Sequence, residues 1–246
     1  MRRGERVTAG TGTSRQPEPP ALRDHRRALW YAVGLLASLA FVLFAVGRHP
    51  TDAAPLTTVR FVGEFDQSMY RWMDDIRAAP LTWLFRFLNV LGGGIVTIPI
   101  RIGASVLLAV RRRWRALAAF VLTWAASELI LGWLKSWFHR GRPDGALVDT
   151  VGYSFPSGHA VAGAALAVAL VLAFMPAGHE RRVWEWVAAG FAFVMAFSRV
   201  YLYAHWFSDV VAGVLLGTGV AIGAAALTTE IRDVAARRGW IRPEPG

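Results

Sequence analysis

The stretch "SRVYLYAHWFSDV", residues 198–210, joins two long apolar runs, roughly 184–202 and 206–228, and carries Arg199, His205 and Asp209 with it. A charge at membrane depth costs several kcal/mol unless something holds it there, so three such groups at one junction imply a use. If the junction is a tight corner between two membrane helices, the fold follows from it: a helical bundle whose polar residues gather at one surface. The composition agrees. Of 246 residues, 54% are hydrophobic, and the mean hydropathy of +0.37 is too high for an ordinary soluble domain.

Working outward, Ala28 to Val46 is an uncharged run of about the ~20 residues that a helix needs to cross the hydrocarbon core. Further runs at 88–110, 116–138, 159–176, 184–202 and 206–228 bring the total to six. They predict an all-α, six-span transmembrane bundle. The first run is longer than the apolar part of a signal peptide and follows a long tail, so "AAP" at 53–55 reads as loop and not as a cleavage site.

The net charge of +10 is explained by placement. Of 27 Lys and Arg, 17 fall in residues 1–29, the turn "RRRWR" at 111–115, the turn 176–183 and the C-terminal tail. Positive-inside bias puts these segments and both termini in the cytoplasm, and loops 47–87, 139–158 and 203–205 outside, as in a bacterial plasma-membrane protein. The charge is then a topology signal, and no nucleic-acid partner is expected. Residues 1–27 read as a disordered basic cytoplasmic tail, 28–228 as the six-span domain and 229–246 as a second cytoplasmic tail. Within the domain, 56–87 reads as an amphipathic segment on the outer surface, with Glu64, Asp66, Asp74 and Asp75 on its solvated face. The lack of cysteine excludes disulfides, thiolate catalysis and Cys-ligated metals.

Three polar blocks meet at the outer surface in this topology, which makes an outward-facing active site. "LKSWFHRGRPDG" places Lys135 at the end of the third span and Arg142 just beyond it. In "SFPSGHA", Ser157 is placed to cap the fourth span, Gly158 lets backbone approach a ligand, and His159 sits in the first turn. The third block is the opening stretch, in which His205 and Asp209, four residues apart, share a helix face. A carboxylate so placed accepts the Nδ1 proton of the imidazole and turns Nε2 outward. Lys135, Arg142 and Arg199 supply three cations, and the Ser157 hydroxyl and Gly158 amide add donors, a set that suits a tetrahedral oxyanion. Trp133, Trp137, Phe155, Tyr201, Tyr203 and Trp206 read as an aromatic belt at the outer interface.

These residues resemble the type 2 phosphatidic acid phosphatases, a family that shares its site with the vanadium haloperoxidases. Three motifs carry the resemblance: Lys-x6-Arg-Pro as Lys135, Arg142 and Pro143; Pro-Ser-Gly-His as Pro156 to His159; and Ser-Arg-x5-His-x3-Asp as Ser198, Arg199, His205 and Asp209. Many members have Arg-Pro-Arg-Pro where this chain has Arg140, Gly141, Arg142 and Pro143. The resemblance implies a metal-independent lipid phosphatase without cofactors, in which His205 is the nucleophile that forms a phosphohistidine and Asp209 holds it. His159 would be the proton donor to the leaving group, and Lys135, Arg142, Ser157, Gly158 and Arg199 would bind the phosphoryl oxygens. Phosphatidate, phosphatidylglycerophosphate and undecaprenyl diphosphate all present the group that these motifs bind.

Two other classes of protein carry comparable charges. A haloperoxidase-like vanadate enzyme would be soluble, whereas this chain is embedded from residue 28 onward. A lipid or anion transporter has no need of a His-Asp pair facing a second histidine. Finally, Arg101 and Glu128 fall inside the second and third spans, both ~14–17 Å deep at ~1.5 Å per residue. Their matching depth on antiparallel neighbours predicts an intramembrane ion pair.

Overall fold

The computed structural model describes residues 20–47 and 57–240, and these form eight helices and no strand. α1 (Pro20–Val46) contains the first apolar run, and Gly47, at φ 68°, ends it in a left-handed turn whose amide bonds Leu43 O. The helix reaches back to Pro20, into the stretch expected to be unstructured; residues 1–19 of that tail lie outside the described residues.

The amphipathic segment divides in two. α2 (Thr57–Asp75) is amphipathic, whereas α3 (Ala79–Gly92) is apolar and meets α4 (Gly94–Val110) at a 45° bend. The expected second span is therefore not one helix over 88–110 but a bent pair that begins at Ala79. The cause is the Gly92-Gly93-Gly94 run, in which Gly93 is extended (φ −76°, ψ 164°) and turns its amide to Val90 O. α5 (Trp114–Phe138), α6 (Gly158–Phe174), α7 (His179–Tyr201) and α8 (Phe207–Arg237) complete the bundle, and α8 continues well into the expected C-terminal tail.

Four helices (α1, α5, α7 and α8) are individually long and apolar enough to cross a membrane, and there are five such spans if the bent pair is counted as one. α6 has 17 residues, ~25 Å at ~1.5 Å per residue, so it falls short of the ~30 Å hydrocarbon core.

α6 packs on α8 with backbones almost touching. A Cβ on Gly213 would lie 2.8 Å from Ala160 Cβ and from Ser157 O, and one on Gly217 only 2.5 Å from Val161 O. Small residues four apart permit this approach, as in other membrane helix pairs. Tyr201 is fully buried, and its hydroxyl accepts from Ala78 N (3.0 Å) and meets Thr82 Oγ1 (2.8 Å), tying the end of α7 to the corner between α2 and α3. Tyr203 and Phe155 are buried as well, so these three belong to the core and not to an interfacial belt. Trp133 and Trp137 are exposed and stacked on each other.

The ion pair expected between Arg101 and Glu128 is present. Arg101 Nη1 lies 2.6 Å from Glu128 Oε1, and the guanidinium also sits over the Trp124 ring. Arg101 is buried between helices while Glu128 is half exposed, so the pair keeps a buried cation from standing alone. Arg101→Met and Glu128→Gln are each expected to lower thermal stability in detergent. The double variant should lose less than their sum, with a coupling of about 0.5–3 kcal/mol, measured by thermal unfolding of all four proteins.

Candidate active site

Lys135 occupies the last turn of α5, where its ammonium donates to Tyr153 O. His139 follows as a left-handed cap (φ 48°) edge-on to the Tyr153 ring, turning the chain into the loop that holds Arg140 and Arg142. The Arg142 guanidinium is spread over loop carbonyls, with Nε on Gly152 O (2.9 Å), Nη2 on Val151 O (2.9 Å) and Nη1 on Ala204 O (2.6 Å). Nη1 also points at His205 Nε2, 3.1 Å away. A guanidinium only donates, so Nε2 carries the lone pair and Nδ1 the proton.

His205 lies in the corner between α7 and α8, ahead of the helix, and not one turn below Asp209 on a shared face. The corner brings the pair together all the same. Tyr203 adopts a left-handed φ of 55°, held by stacking on Tyr70 at 4.3 Å and by Arg77 over its ring, and Ala204 N returns to Arg199 O. His205 Nδ1 faces Asp209 Oδ2 at 3.5 Å, long for a hydrogen bond, and has no other acceptor. Burial, helped by Arg199 and Arg142 against the opposing pull of Asp209, lowers His205 from 6.5 to about 4. Desolvation is the largest of these causes.

Asp209 has no exposed surface. Its Oδ1 accepts from Arg140 Nη1 (2.6 Å), while Oδ2 accepts from Trp206 N (2.9 Å) and from Ser154 Oγ. Its backbone carbonyl accepts from Ser157 N (3.0 Å), which joins the start of α6 to the start of α8. Ser157, also fully buried, caps α6 through a long contact with Ala160 N (3.5 Å), and Gly158 opens the helix.

Arg199 and His159 meet on Asn89. Arg199, buried at the end of α7, donates to Asn89 Oδ1, and its Nε is buried without a partner. His159 Nε2 lies 3.0 Å from Asn89 O, so it carries a proton there. That carbonyl is available because Gly93 N is spent on Val90 O and not on the residue four back.

All eight residues singled out in the sequence thus fall in one connected region, though Ser157 has its amide spent on Asp209. Four participants were not singled out: Asn89, Arg140, Ser154 and Asp66. Asp66 was assigned to a solvated face and is buried, 2% exposed. It accepts from Arg140 Nη2 (2.7 Å), Ser208 N (2.8 Å) and Ser208 Oγ (2.6 Å). The available signal was its position on α2, in register with Met69 and Met73 on the inward stripe.

Known proteins resemble this chain in sequence and in fold. The sequence profile described as the PAP2 superfamily matches residues 116–233. The chain is 32% identical over 188 residues to phosphatidylglycerophosphatase B of Bacillus subtilis, covering 73% of this chain and 86% of that protein. It is 28% identical over 165 residues to an undecaprenyl-diphosphatase of Sulfolobus acidocaldarius, covering 63% of this chain and 75% of the relative. The crystal structure of the transmembrane PAP2-type phosphatidylglycerolphosphate phosphatase from Bacillus subtilis superposes with a TM-score of 0.68 at 24% identity, over 83% of this chain and 97% of that one.

Proposed function

The chain belongs to the PAP2 superfamily, and from that premise and the state of His205 we propose a metal-independent membrane phosphatase that cleaves a lipid phosphate or diphosphate through a phosphohistidine. The observation that carries the reading is a buried, neutral imidazole whose Nε2 lone pair faces a guanidinium and whose Nδ1–H faces a carboxylate. Nε2 attacks phosphorus; the N–P bond forms as the bond to the leaving oxygen breaks, and His159, protonated on both nitrogens in the substrate complex with Nε2–H on Asn89 O, gives that oxygen its Nδ1 proton. The imidazole becomes positive in this step, and Asp209 stabilises it across Nδ1. Water then attacks the phosphohistidine, losing its proton to His159, and the N–P bond breaks to release phosphate.

Lys135, Arg142 and Arg199 hold the phosphoryl oxygens, with Ser157 and the Gly158 amide at the start of α6 completing the cage. A phosphoryl oxygen on the partnerless Arg199 Nε would satisfy a donor whose burial otherwise costs about 1–3 kcal/mol. The substrate class is a lipid with a terminal phosphate at headgroup level, such as phosphatidate, phosphatidylglycerophosphate or undecaprenyl diphosphate. Counting α6 as a short sixth span supports a six-span topology, termini in the cytoplasm and the site at the outer surface of a bacterial plasma membrane. The basic turn 111–115, at the end of α5 away from Lys135, favours that orientation.

Phosphate release from these three substrates by the solubilised chain tests the reading. His205→Ala should abolish turnover, and His159→Ala should slow it by about 10²–10⁴-fold. An active His205→Ala protein would refute the nucleophile. Protonation of His205 removes the attacking lone pair, so kcat/KM should hold as pH falls through 6.5 and fail only near the lowered value of about 4. An acid limb centred at the ordinary histidine value would contradict this. Vanadate should inhibit competitively and EDTA should have no effect; loss of activity in chelator, restored by Mg²⁺, would overturn metal independence.

A further inference from the structure

Asp66 is the buried carboxylate to which the mechanism assigns no task, and it comes from α2, outside the segment matched by the family profile. Its three contacts all lead to the reacting pair. Through Arg140 it shares one guanidinium with Asp209: Nη2 goes to Asp66 Oδ2 at 2.7 Å and Nη1 to Asp209 Oδ1 at 2.6 Å. Through Ser208 it grips the first turn of α8, taking the backbone N–H at 2.8 Å and the hydroxyl at 2.6 Å, one residue before Asp209. That N–H is a helix-terminal donor with no partner inside its own helix, so Asp66 also caps α8 from a distant part of the chain. Arg140 Nη1 reaches the Ser208 hydroxyl too, at 2.7 Å, closing the circuit.

We propose that Asp66 is a positioning residue for the His205–Asp209 pair, acting through the Arg140 bridge and the Ser208 cap. The electrostatic part follows from counting charges. Arg140 and Asp209 alone would form a neutral pair, and a neutral pair does little for an imidazole that becomes positive as the N–P bond forms. With Asp66 included, two carboxylates share one guanidinium, and the group keeps a net charge of −1 behind His205. The steric part is that Arg140, pulled from both ends, holds Asp209 Oδ1 and leaves Oδ2 directed at Nδ1. Asp66 itself touches neither His205 nor any phosphate-binding residue named above, so its removal should act on the chemical step and not on anion binding.

This inference rests on the phosphatase reading, and the experiment separates the two. The full chain in detergent is assayed with phosphatidate, phosphatidylglycerophosphate and undecaprenyl diphosphate, with vanadate inhibition as a measure of the anion cage. If the wild-type chain releases phosphate from no lipid, the phosphatase reading fails first. If it is active, Asp66→Asn should lower kcat by about 10–100-fold, the range typical for groups that orient a reacting side chain from behind. KM and the vanadate inhibition constant should stay within about threefold. The single-turnover rate constant, which an inactive fraction does not alter, should fall with kcat. In an Arg140→Gln background the same substitution should cost clearly less than in the wild type, since the bridge is already gone and only the Ser208 cap and the more distant charge are left to lose. A wild-type single-turnover rate in Asp66→Asn overturns the proposal, as does a full additional loss in the Arg140→Gln background. If Asp66→Asn does not fold, Asp66→Glu keeps the charge and shifts the carboxylate by one methylene. A reduced single-turnover rate at unchanged vanadate affinity then supports the proposal, and a wild-type rate overturns it.

Discussion

A carboxylate with no access to water, at the head of a membrane helix, is the constraint on which the site is built. Burying Asp209 costs several kcal/mol unless donors surround it, and no single neighbouring element supplies enough of them. The donors come from the loop after α5 (Arg140, Ser154) and from the corner before α8 (Trp206 N), while its own carbonyl takes the amide of Ser157 at the head of α6. Satisfying one ion therefore fixes three segments against each other. The irregular stretch between α5 and α6 needs no secondary structure of its own, since Arg142 ties three of its carbonyls and Ser154 N returns to Arg140 O.

The same arrangement sorts charge by sign. On the Nδ1 side of His205 lie Asp209 and, behind it, Arg140 and Asp66; on the Nε2 side lies Arg142. The imidazole ring is the partition between an anionic pocket and a cationic one. Burial keeps it uncharged while both fields act on it, so the positive charge that the proposed phosphorylation would create arises where the negative side can receive it.

Much of this was legible in the sequence because the polar residues are conspicuous against apolar runs. Lys135, Arg142, His159, Arg199, His205 and Asp209 stand out where a span ends, and the matching depth of Arg101 and Glu128 was enough to pair them. Asp66 was not legible in that way. Its partners are 74 and 142 residues away, and in a short amphipathic helix one carboxylate looks like another until the helix is docked. The aromatic residues failed for a related reason: Phe155, Tyr201 and Tyr203 sit beside the same apolar runs as Trp133 and Trp137, and composition does not separate a core ring from an interfacial one. The break at Gly93 was hidden because glycine is common inside membrane helices, so three in a row within an apolar stretch read as part of one span.

That break sets a limit on how far the protein can be stabilised. Continuous helix through Gly92-Gly93-Gly94 would gain backbone hydrogen bonds and shed the entropic penalty of three glycines, the kind of change that usually raises a melting temperature. Here it would return the amide of residue 93 to Asn89 O, the acceptor that now holds the proton of His159. A side chain at 92 would also press on the imidazole, since a Cβ there would stand 2.8 Å from His159 Cδ2. The bend is thus a local sacrifice of stability that leaves one peptide oxygen free for a histidine, and a thermally hardened variant made by straightening this span would lose its hold on that ring.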